Sequence, residues 1–235
     1  MTSIGIIPAR GGSKRIPGKN IRPFAGRPLL VHSIIAAQAA GVFDAIIVTT
    51  DDEAVARIAR EYGAETPFAR PAELATDHTP LAPVLLHALE ALETAGRRYR
   101  NFCCLFATAP LMRAEDIRRG LALLEQHQAA TAVSVAQFPI PLERALTITP
   151  EGRLRMCRPE HQFTRSQDLP PAFYEAAHFT WGNVERFRAA QAIYGPNAVA
   201  VPIHSRLVCD IDTQEDWERA ELMHRCVTAQ EATPA

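Results

Sequence analysis

The chain has 235 residues and a mass of 25.8 kDa, with 47% apolar and 22% charged residues, which is enough for one sizeable hydrophobic core. Its 25 basic and 26 acidic residues give a formal net charge of −1. Because no excess of positive charge favours nucleic acid or an anionic membrane, we expect neither as a partner. The charge balance favours a protein that acts on small molecules.

Cysteine usage and the first residues predict the compartment. The five cysteines form no Cys-x-x-Cys pair and no zinc-ligand spacing, so we interpret them as reduced thiols. The apolar stretch at residues 4–7 is too short for a signal sequence. No run of the chain reaches the roughly 18 apolar residues that a membrane span requires. We therefore expect a cytoplasmic protein.

The first 135 residues alternate short apolar runs with amphipathic segments. The runs are dense enough for strands buried on both faces, and glycines such as Gly41 and Gly63 close the segments with helical spacing. The predicted strands are residues 4–7, 45–49, 102–106 and 132–135, and the predicted helices are residues 29–40, 53–62, 85–94 and 115–127. This order predicts an α/β fold with a Rossmann-like, mostly parallel sheet and helices on both faces.

The pattern changes after Val135. Six prolines between residues 138 and 171 exclude long helices there, and residues 149–152 have turn composition between two short strand-like pieces. We interpret residues 138–180, approximately, as an arm inserted into a single domain that covers residues 1–227. The β-α order then returns, with strands predicted at 179–183 and 199–203, helices at 184–191 and 213–227, and a disordered tail at 228–235.

A glycine-rich and positively charged loop, residues 8–20, follows the first predicted strand. It contains both lysines of the chain, which otherwise uses 23 arginines for positive charge. In an open α/β sheet the carboxyl ends of the strands are where ligands bind. The loop's four cations match the charge of a triphosphate, so we predict a nucleoside triphosphate site, with a solvated tight turn as the alternative. These cations are Arg10, Lys14, Arg15 and Lys19.

Two familiar phosphate-binding motifs do not fit this loop. Five residues separate Gly12 from Gly18, where a P-loop has four, and Asn20 stands where Ser or Thr would hold magnesium. Gly11 and Gly12 also lack the G-x-G-x-x-G spacing of a dinucleotide site. We instead expect phosphate oxygens to meet the backbone amides around Gly11, Gly12 and Ser13, where glycine permits close approach.

Two acidic pairs follow apolar runs. Asp210 and Asp212 lie two residues apart, so in an extended chain both carboxylates point to one face, where Mg²⁺ can join them to triphosphate oxygens. As an alternative, Asp212 or Thr213 caps the final helix. Asp51 and Asp52 precede a predicted helix, and we favour a capping role for them.

Several stretches resemble the CMP-sialic acid synthetase family, the cytidylyltransferases that act on nine-carbon keto sugar acids. They are residues 7–21, 50–52, 70–74 with Asp77, 108–110 and 210–213, which together span nearly the whole chain. Within the family, residues 164–170 and 179–182 are most similar to the pseudaminic acid cytidylyltransferases. The chain departs from the sialate pattern at Phe106 and Ala107, where those enzymes carry Gln and Pro. The resemblance implies a nucleotidyltransferase type of Rossmann-like fold and Mg²⁺ as cofactor.

The resemblance also implies a reaction. The anomeric hydroxyl of a nonulosonic acid attacks CTP and gives a CMP-sugar and pyrophosphate. The sugar acid is pseudaminic acid in the enzymes that the chain resembles most. The implied catalytic residues are Arg10 and Lys19. The implied contacts to base and ribose are Ala9, Arg10, Asn20, Arg70 and Thr79; those to the sugar acid are Arg165 and Gln167; and Asp210 and Asp212 are the metal ligands. It further implies a homodimer that packs through the arm. The alternatives are CMP-N-acetylneuraminate or CMP-legionaminate synthesis, or a nucleotide-binding module without turnover.

Overall fold

The computed structural model describes residues 2–231. The strands are β1 (Ser3–Pro8), β2 (Pro23–Phe24), β3 (Arg27–Pro28), β4 (Ala45–Thr49), β5 (Asn101–Leu105), β6 (Thr131–Gln137), β7 (Leu146–Ile148), β8 (Leu154–Met156), β9 (Phe173–Asn183) and β10 (Ala198–Pro202). The helices are α1 (Leu29–Ala40), α2 (Glu53–Glu61), α3 (Leu81–Thr94), α4 (Ala114–Gln126), α5 (Val184–Ala190) and α6 (Gln214–Glu231). Six strands form one sheet in the order β10-β6-β9-β5-β1-β4.

Most neighbours in this sheet are parallel. β1 pairs in parallel with β4 and β5, and β10 pairs in parallel with β6, whereas β9 runs antiparallel between β5 and β6. The predicted α/β fold with a mostly parallel sheet is therefore confirmed. The chain leaves β1 toward β4 on one side and returns to β5 on the other, so the sheet reverses its direction of winding at β1. In open α/β sheets such a reversal leaves a crevice at the carboxyl edge.

Helices cover both faces of the sheet because successive strand residues point to opposite sides. Ile7 and Cys103 belong to a buried cluster that includes residues of α1, α2 and α4. Ile6 and Cys104 belong to a second buried cluster, which α3 and α5 complete. Because both faces of the sheet are buried, the strand sequences are continuous apolar runs.

A third, smaller core lies under the glycine-rich loop. Ile16 from the loop packs with Phe24 of β2, with Ile211 before the C-terminal helix and with Trp217 in α6. The rings of Phe24 and Trp217 meet edge to face, 5.5 Å between centroids. This cluster ties the loop after β1 to the segment that carries Asp210 and Asp212, although the two are far apart in sequence.

The arm is shorter than predicted. It carries the antiparallel β7-β8 hairpin and several single turns of 3-10 helix. β9 begins at Phe173, so residues 173–180 lie in the central sheet and the arm ends near residue 172 rather than 180.

The C-terminal helix is longer than predicted. α6 continues to Glu231, beyond the predicted end at residue 227, and the rest of the predicted tail, residues 232–235, lies outside the described residues. Within residues 2–231, none of the helices has both the length and the apolar character needed to cross a membrane.

Candidate functional site

A cavity of about 530 Å³ opens at the carboxyl ends of β1 and β5. Its size is typical of ligand sites, and it lies beside the strand where the sheet reverses. Eight of the predicted site residues line it: Arg10, Ser13, Lys14, Lys19, Asn20, Arg70, Thr79 and Asp212. The fold thus brings the loop, the segment after β4 and the segment before α6 to one place.

Three predicted nucleotide-binding residues do not line this cavity: Ala9, Gly11 and Gly12. The backbone amide of Ala9 donates to the carbonyl of Thr49, 3.0 Å away. The amide of Gly11 donates to Oδ1 of Asp51, also at 3.0 Å. In the described structure these two amides hold the loop against the end of β4. The contact of Ala9 with the base and the contact of Gly11 and Gly12 with phosphate stay predictions.

Gly11 lies against the helix cap formed by Asp52. Oδ1 of Asp52 accepts hydrogen bonds from the amides of Ala54 and Val55, at 2.7 and 3.1 Å, which confirms the predicted capping role for Asp52. Asp51 does not cap the helix, because its Oδ1 accepts from the Gly11 amide instead. A Cβ atom on Gly11 would lie 2.4 Å from Oδ2 of Asp52 and 2.6 Å from its Cβ. Glycine is therefore required here for close packing.

Asn20 and Lys19 fix the far end of the loop, in a single 3-10 turn over Lys19–Ile21. The buried Asn20 donates from Nδ2 to the carbonyl of Arg10 at 2.9 Å. Nζ of Lys19 donates to the carbonyl of Ile211 at 2.6 Å and lies 3.2 Å from Oδ1 of Asp212. These bonds hold the Lys19 ammonium at the cavity wall.

Asp77 pairs with the first two cations of the loop. Its carboxylate contacts the Arg10 guanidinium through Oδ1 and lies 2.7 Å from Nζ of Lys14 through Oδ2. Hydrogen bonds from Lys14 and then Arg10 lower the pKa of Asp77 to about 2. The Asp77 carboxylate therefore stays ionised at neutral pH.

The other two cations meet Asp212. Its Oδ1 lies 2.9 Å from the Arg15 guanidinium and 3.2 Å from Nζ of Lys19. Thr213 serves the final helix instead: the amide of Asp216 donates to Oγ1 of Thr213 at 3.2 Å, and Oδ2 of Asp216 accepts from the Thr213 amide at 2.9 Å. The Asp212 carboxylate is thus directed to the loop, whereas Thr213 takes the capping role.

The pair Asp210 and Asp212 has the donor chemistry that Mg²⁺ prefers. Asp210 accepts a hydrogen bond from Oγ1 of Thr108 at 3.2 Å. Although Asp210 as a residue is exposed, nearby protein atoms partly desolvate its carboxylate; this and the like charge of Asp212 raise its pKa. A cation would offset that repulsion. Within residues 2–231 no group of three or more His, Cys, Asp or Glu side chains is placed to hold a metal ion. Mg²⁺ is usually held by one or two carboxylates together with substrate phosphates and water.

Arg70 is a buried cation at the cavity wall, only 6% exposed. It contacts the carbonyl of Thr49 through its guanidinium and Oγ1 of the same residue at 3.3 Å. Burial lowers its pKa, and among the described residues no carboxylate forms an ion pair with it. A buried guanidinium without a direct ion pair is suited to an oxygen-rich ligand.

Arg165 and Gln167 lie on the arm, exposed and outside the cavity. The guanidinium of Arg165 instead forms two hydrogen bonds with Asp168, at 2.6 and 3.0 Å. Their predicted contact with the sugar acid stays a prediction.

Several residues that line the cavity were assigned no contact by the sequence prediction, although Asp77 and Thr108 lie in the stretches that resemble the family. Asp77 is the most important of them, because it binds two loop cations, and Phe106, Ala107 and Thr108 follow β5 into the same wall. The position of 106–108 directly after a parallel strand was a usable signal. Nothing in the local sequence indicates the partner of Asp77.

The chain matches the family described as Cytidylyltransferase over residues 4–231. It belongs to that family. A pseudaminic acid cytidylyltransferase of Campylobacter jejuni is 36% identical over 225 residues, which cover 96% of this chain and 97% of that protein. A CMP-N,N'-diacetyllegionaminic acid synthase of Legionella pneumophila is 30% identical and covers 94% of this chain and 95% of its own length. The resemblance found in the loop is thus confirmed.

A solved structure of this cytidylyltransferase fold is also similar. It is a CMP:2-keto-3-deoxy-manno-octonic acid synthetase complexed with CTP, with a TM-score of 0.69, 16% identity, and coverage of 98% of this chain and 100% of that one. At this identity the likeness shows the fold, namely the mixed sheet with helices on both faces.

Proposed function

We propose that this cytidylyltransferase joins CTP to pseudaminic acid and releases a CMP-sugar and pyrophosphate. The observation that carries the proposal is the convergence of four loop cations on one cavity beside Asp212, a charge that suits a triphosphate. The Campylobacter relative supports pseudaminic acid as the acceptor. Legionaminic acid is the second candidate, which the Legionella relative supports.

The reaction is a displacement at the α-phosphorus of CTP. The anomeric oxygen of the sugar acid forms a bond to the α-phosphorus, the bond from that phosphorus to the β-phosphate oxygen breaks, and the hydroxyl proton is released. Positioning and charge stabilisation dominate such chemistry. Arg10, Lys14 and Lys19 stabilise the charge that collects on pyrophosphate, with the ammonium of Lys19 held by the Ile211 carbonyl.

Asp210 and Asp212 would hold the Mg²⁺ ion. When bound, Mg²⁺ supplies further positive charge at the phosphate oxygens. Because Asp212 also contacts Lys19 and Arg15, this one side chain connects the cation loop with the ion site.

Asn20, Arg70 and Thr79 recognise the base and the ribose. Asn20 uses its amide N–H on the Arg10 carbonyl, so its Oδ1 is the atom that accepts from the cytosine amino group. Arg70 supplies guanidinium N–H groups to the base carbonyl or the ribose. Oγ1 of Thr79, bonded to the carbonyl of Glu73 at 3.2 Å, completes this set.

The active enzyme is a homodimer that packs through the arm. Large apolar side chains are exposed there, and exposed apolar clusters of this kind mark interaction surfaces. They are Ile140, Leu146, Ile148, Leu154 and Phe163. We propose that Arg165 and Gln167, which lie outside the cavity of their own protomer, contact the sugar acid in the partner's site. We expect light scattering to give twice the chain mass, and an Ile148→Asp, Leu154→Asp variant to be monomeric; a monomeric unaltered protein would contradict the dimer.

A pyrophosphate-release assay tests the reaction. CTP, UTP and ATP are each combined with pseudaminic, legionaminic and N-acetylneuraminic acids, with Mg²⁺ or with excess EDTA. We expect release only with CTP and Mg²⁺, fastest with pseudaminic acid. Faster release with legionaminic acid would favour the second candidate, and release with UTP and a hexose phosphate but none with CTP would contradict the proposal.

A further inference from the structure

Asp77 occupies the place where the triphosphate is expected. It follows the short 3-10 turn at Ala72–Leu74, lines the cavity, and binds both Arg10 and Lys14. Among residues 2–231 two carboxylates pair with the loop's cations, and one of them, Asp212, already has a role in the proposed reaction. Asp77 has none, and the inference below rests on the proposed nucleotide site.

The contacts of Asp77 compete with those of a phosphate ligand. Its two carboxylate oxygens engage different cations, so Arg10 and Lys14 are bridged as a polyphosphate would bridge them. A triphosphate that approaches both cations meets the negative charge of this carboxylate until the bridge opens. The bridge can open at little cost, because ion pairs exposed to water are weak and the Lys14 side chain is 82% exposed.

We propose that Asp77 is an exchangeable counter-ion of the phosphate site and thereby a residue that determines ligand specificity. It holds Arg10 and Lys14 together in the nucleotide-free enzyme, and a ligand displaces it only when its phosphates meet both cations. Small anions then fail to capture the site, and the return of the carboxylate favours departure of pyrophosphate.

The test is Asp77→Asn, which removes the charge and keeps the size. By titration calorimetry in the presence of Mg²⁺, we expect this variant to bind CTP and pyrophosphate roughly tenfold more tightly, since two ion pairs no longer need to be broken. Cytidine, which carries no phosphate, should change its inhibition constant by less than about twofold. In turnover, KM for CTP falls and pyrophosphate becomes a stronger product inhibitor.

Glu73→Gln is the matched control. Glu73 is exposed in the same segment, and among the described residues its carboxylate makes no ion pair with the loop. This variant changes net charge equally, so an affinity gain confined to Asp77→Asn assigns the effect to the bridge. Equal gains in both variants would overturn the proposal in favour of a general charge effect.

Other outcomes separate the two levels of the argument. If the unaltered enzyme binds CTP but Asp77→Asn and Asp77→Ser, both folded by thermal denaturation, bind it equally or more weakly, Asp77 is a structural residue and this inference is wrong. Tighter cytidine binding in both variants would also overturn it. If the unaltered enzyme binds no CTP at all, the proposed function fails and this inference with it.

Discussion

Lys19 is the more buried of the two lysines in the loop. Its side chain is 14% exposed, against 82% for Lys14, and its ammonium lies between the Ile211 carbonyl and Asp212. A guanidinium is larger and planar, and it does not fit where a compact ammonium makes a 2.6 Å bond. This geometry gives a physical reason for lysine in a chain that otherwise uses arginine.

We therefore predict that Lys19→Arg lowers kcat/KM by about tenfold or more at unchanged net charge. Lys14→Arg is the matched comparison, because its exposed side chain has room for a guanidinium, and we expect a loss below about threefold. Steady-state kinetics with varied CTP measure both. Near-normal activity of Lys19→Arg would mean that the lysine is not required.

Gly11 allows a second prediction at this scale. An added Cβ would collide with the Asp52 side chain, which two backbone amides hold in place. Gly11→Ala should therefore lower the free energy of unfolding by roughly 1–2 kcal/mol through the damaged cap or the displaced loop. Gly12→Ala, with nothing within 4 Å of the added atom, should change stability little. Urea denaturation of both variants makes the comparison, and equal stabilities would contradict it.

Single residues also show where sequence reasoning ends. Charge and spacing predicted the four loop cations and the Asp210 and Asp212 pair, because each signal lies within one short segment. The bridge from Asp77 to Arg10 and Lys14 joins a segment that precedes β4 in the sequence to one that follows it, and only the folded sheet brings them together.

At the scale of elements, β9 differs most from the prediction. Its last five residues were predicted as a strand, but the strand begins at Phe173 and runs antiparallel between β5 and β6. Apolar density reports burial and not strand direction, so the pattern could not distinguish this strand from its parallel neighbours. The antiparallel direction of β9 follows from the arm, because the arm brings the chain back into the sheet at its carboxyl edge, without a crossover helix.

His178 makes β9 sensitive to acid. The imidazole is buried, Nε2 donates to the Leu207 carbonyl at 3.0 Å, and burial lowers its pKa to about 4, outweighing that bond. Because the unfolded chain takes up this proton near pH 6.5 and the folded chain only near pH 4, stability present above pH 6.5 is lost as the pH falls toward 4. The expected loss is roughly 3 kcal/mol.

His178→Gln should flatten this dependence, since glutamine keeps a donor for the carbonyl without binding a proton. His127→Gln, at the exposed end of α4, should leave the dependence unchanged. Urea denaturation between pH 4 and pH 7 measures it. An equally steep fall in stability for His178→Gln would assign the acid sensitivity to other groups.

For the whole molecule, the reversal of the sheet at β1 explains the position of the site. It places the ends of β1, β4 and β5 at one edge, so their following segments share one cavity. The alternation of strands and helices predicted a mostly parallel sheet with a ligand site at the carboxyl end of β1, whereas the strand order, with its reversal at β1, is known only from the structure. The homodimer stays a prediction, because composition does not specify which surfaces meet. The cytoplasmic location also stays a prediction.

The central claim is that the cavity couples CTP to a nonulosonic acid, and the most direct measurement is of the product itself. The purified protein is incubated with CTP, Mg²⁺ and pseudaminic acid, and phosphorus NMR and mass spectrometry follow the phosphorus atoms. We expect one phosphodiester joining cytidine monophosphate to the sugar acid for each pyrophosphate released. Unchanged CTP, or CMP and pyrophosphate without a sugar conjugate, would contradict the account.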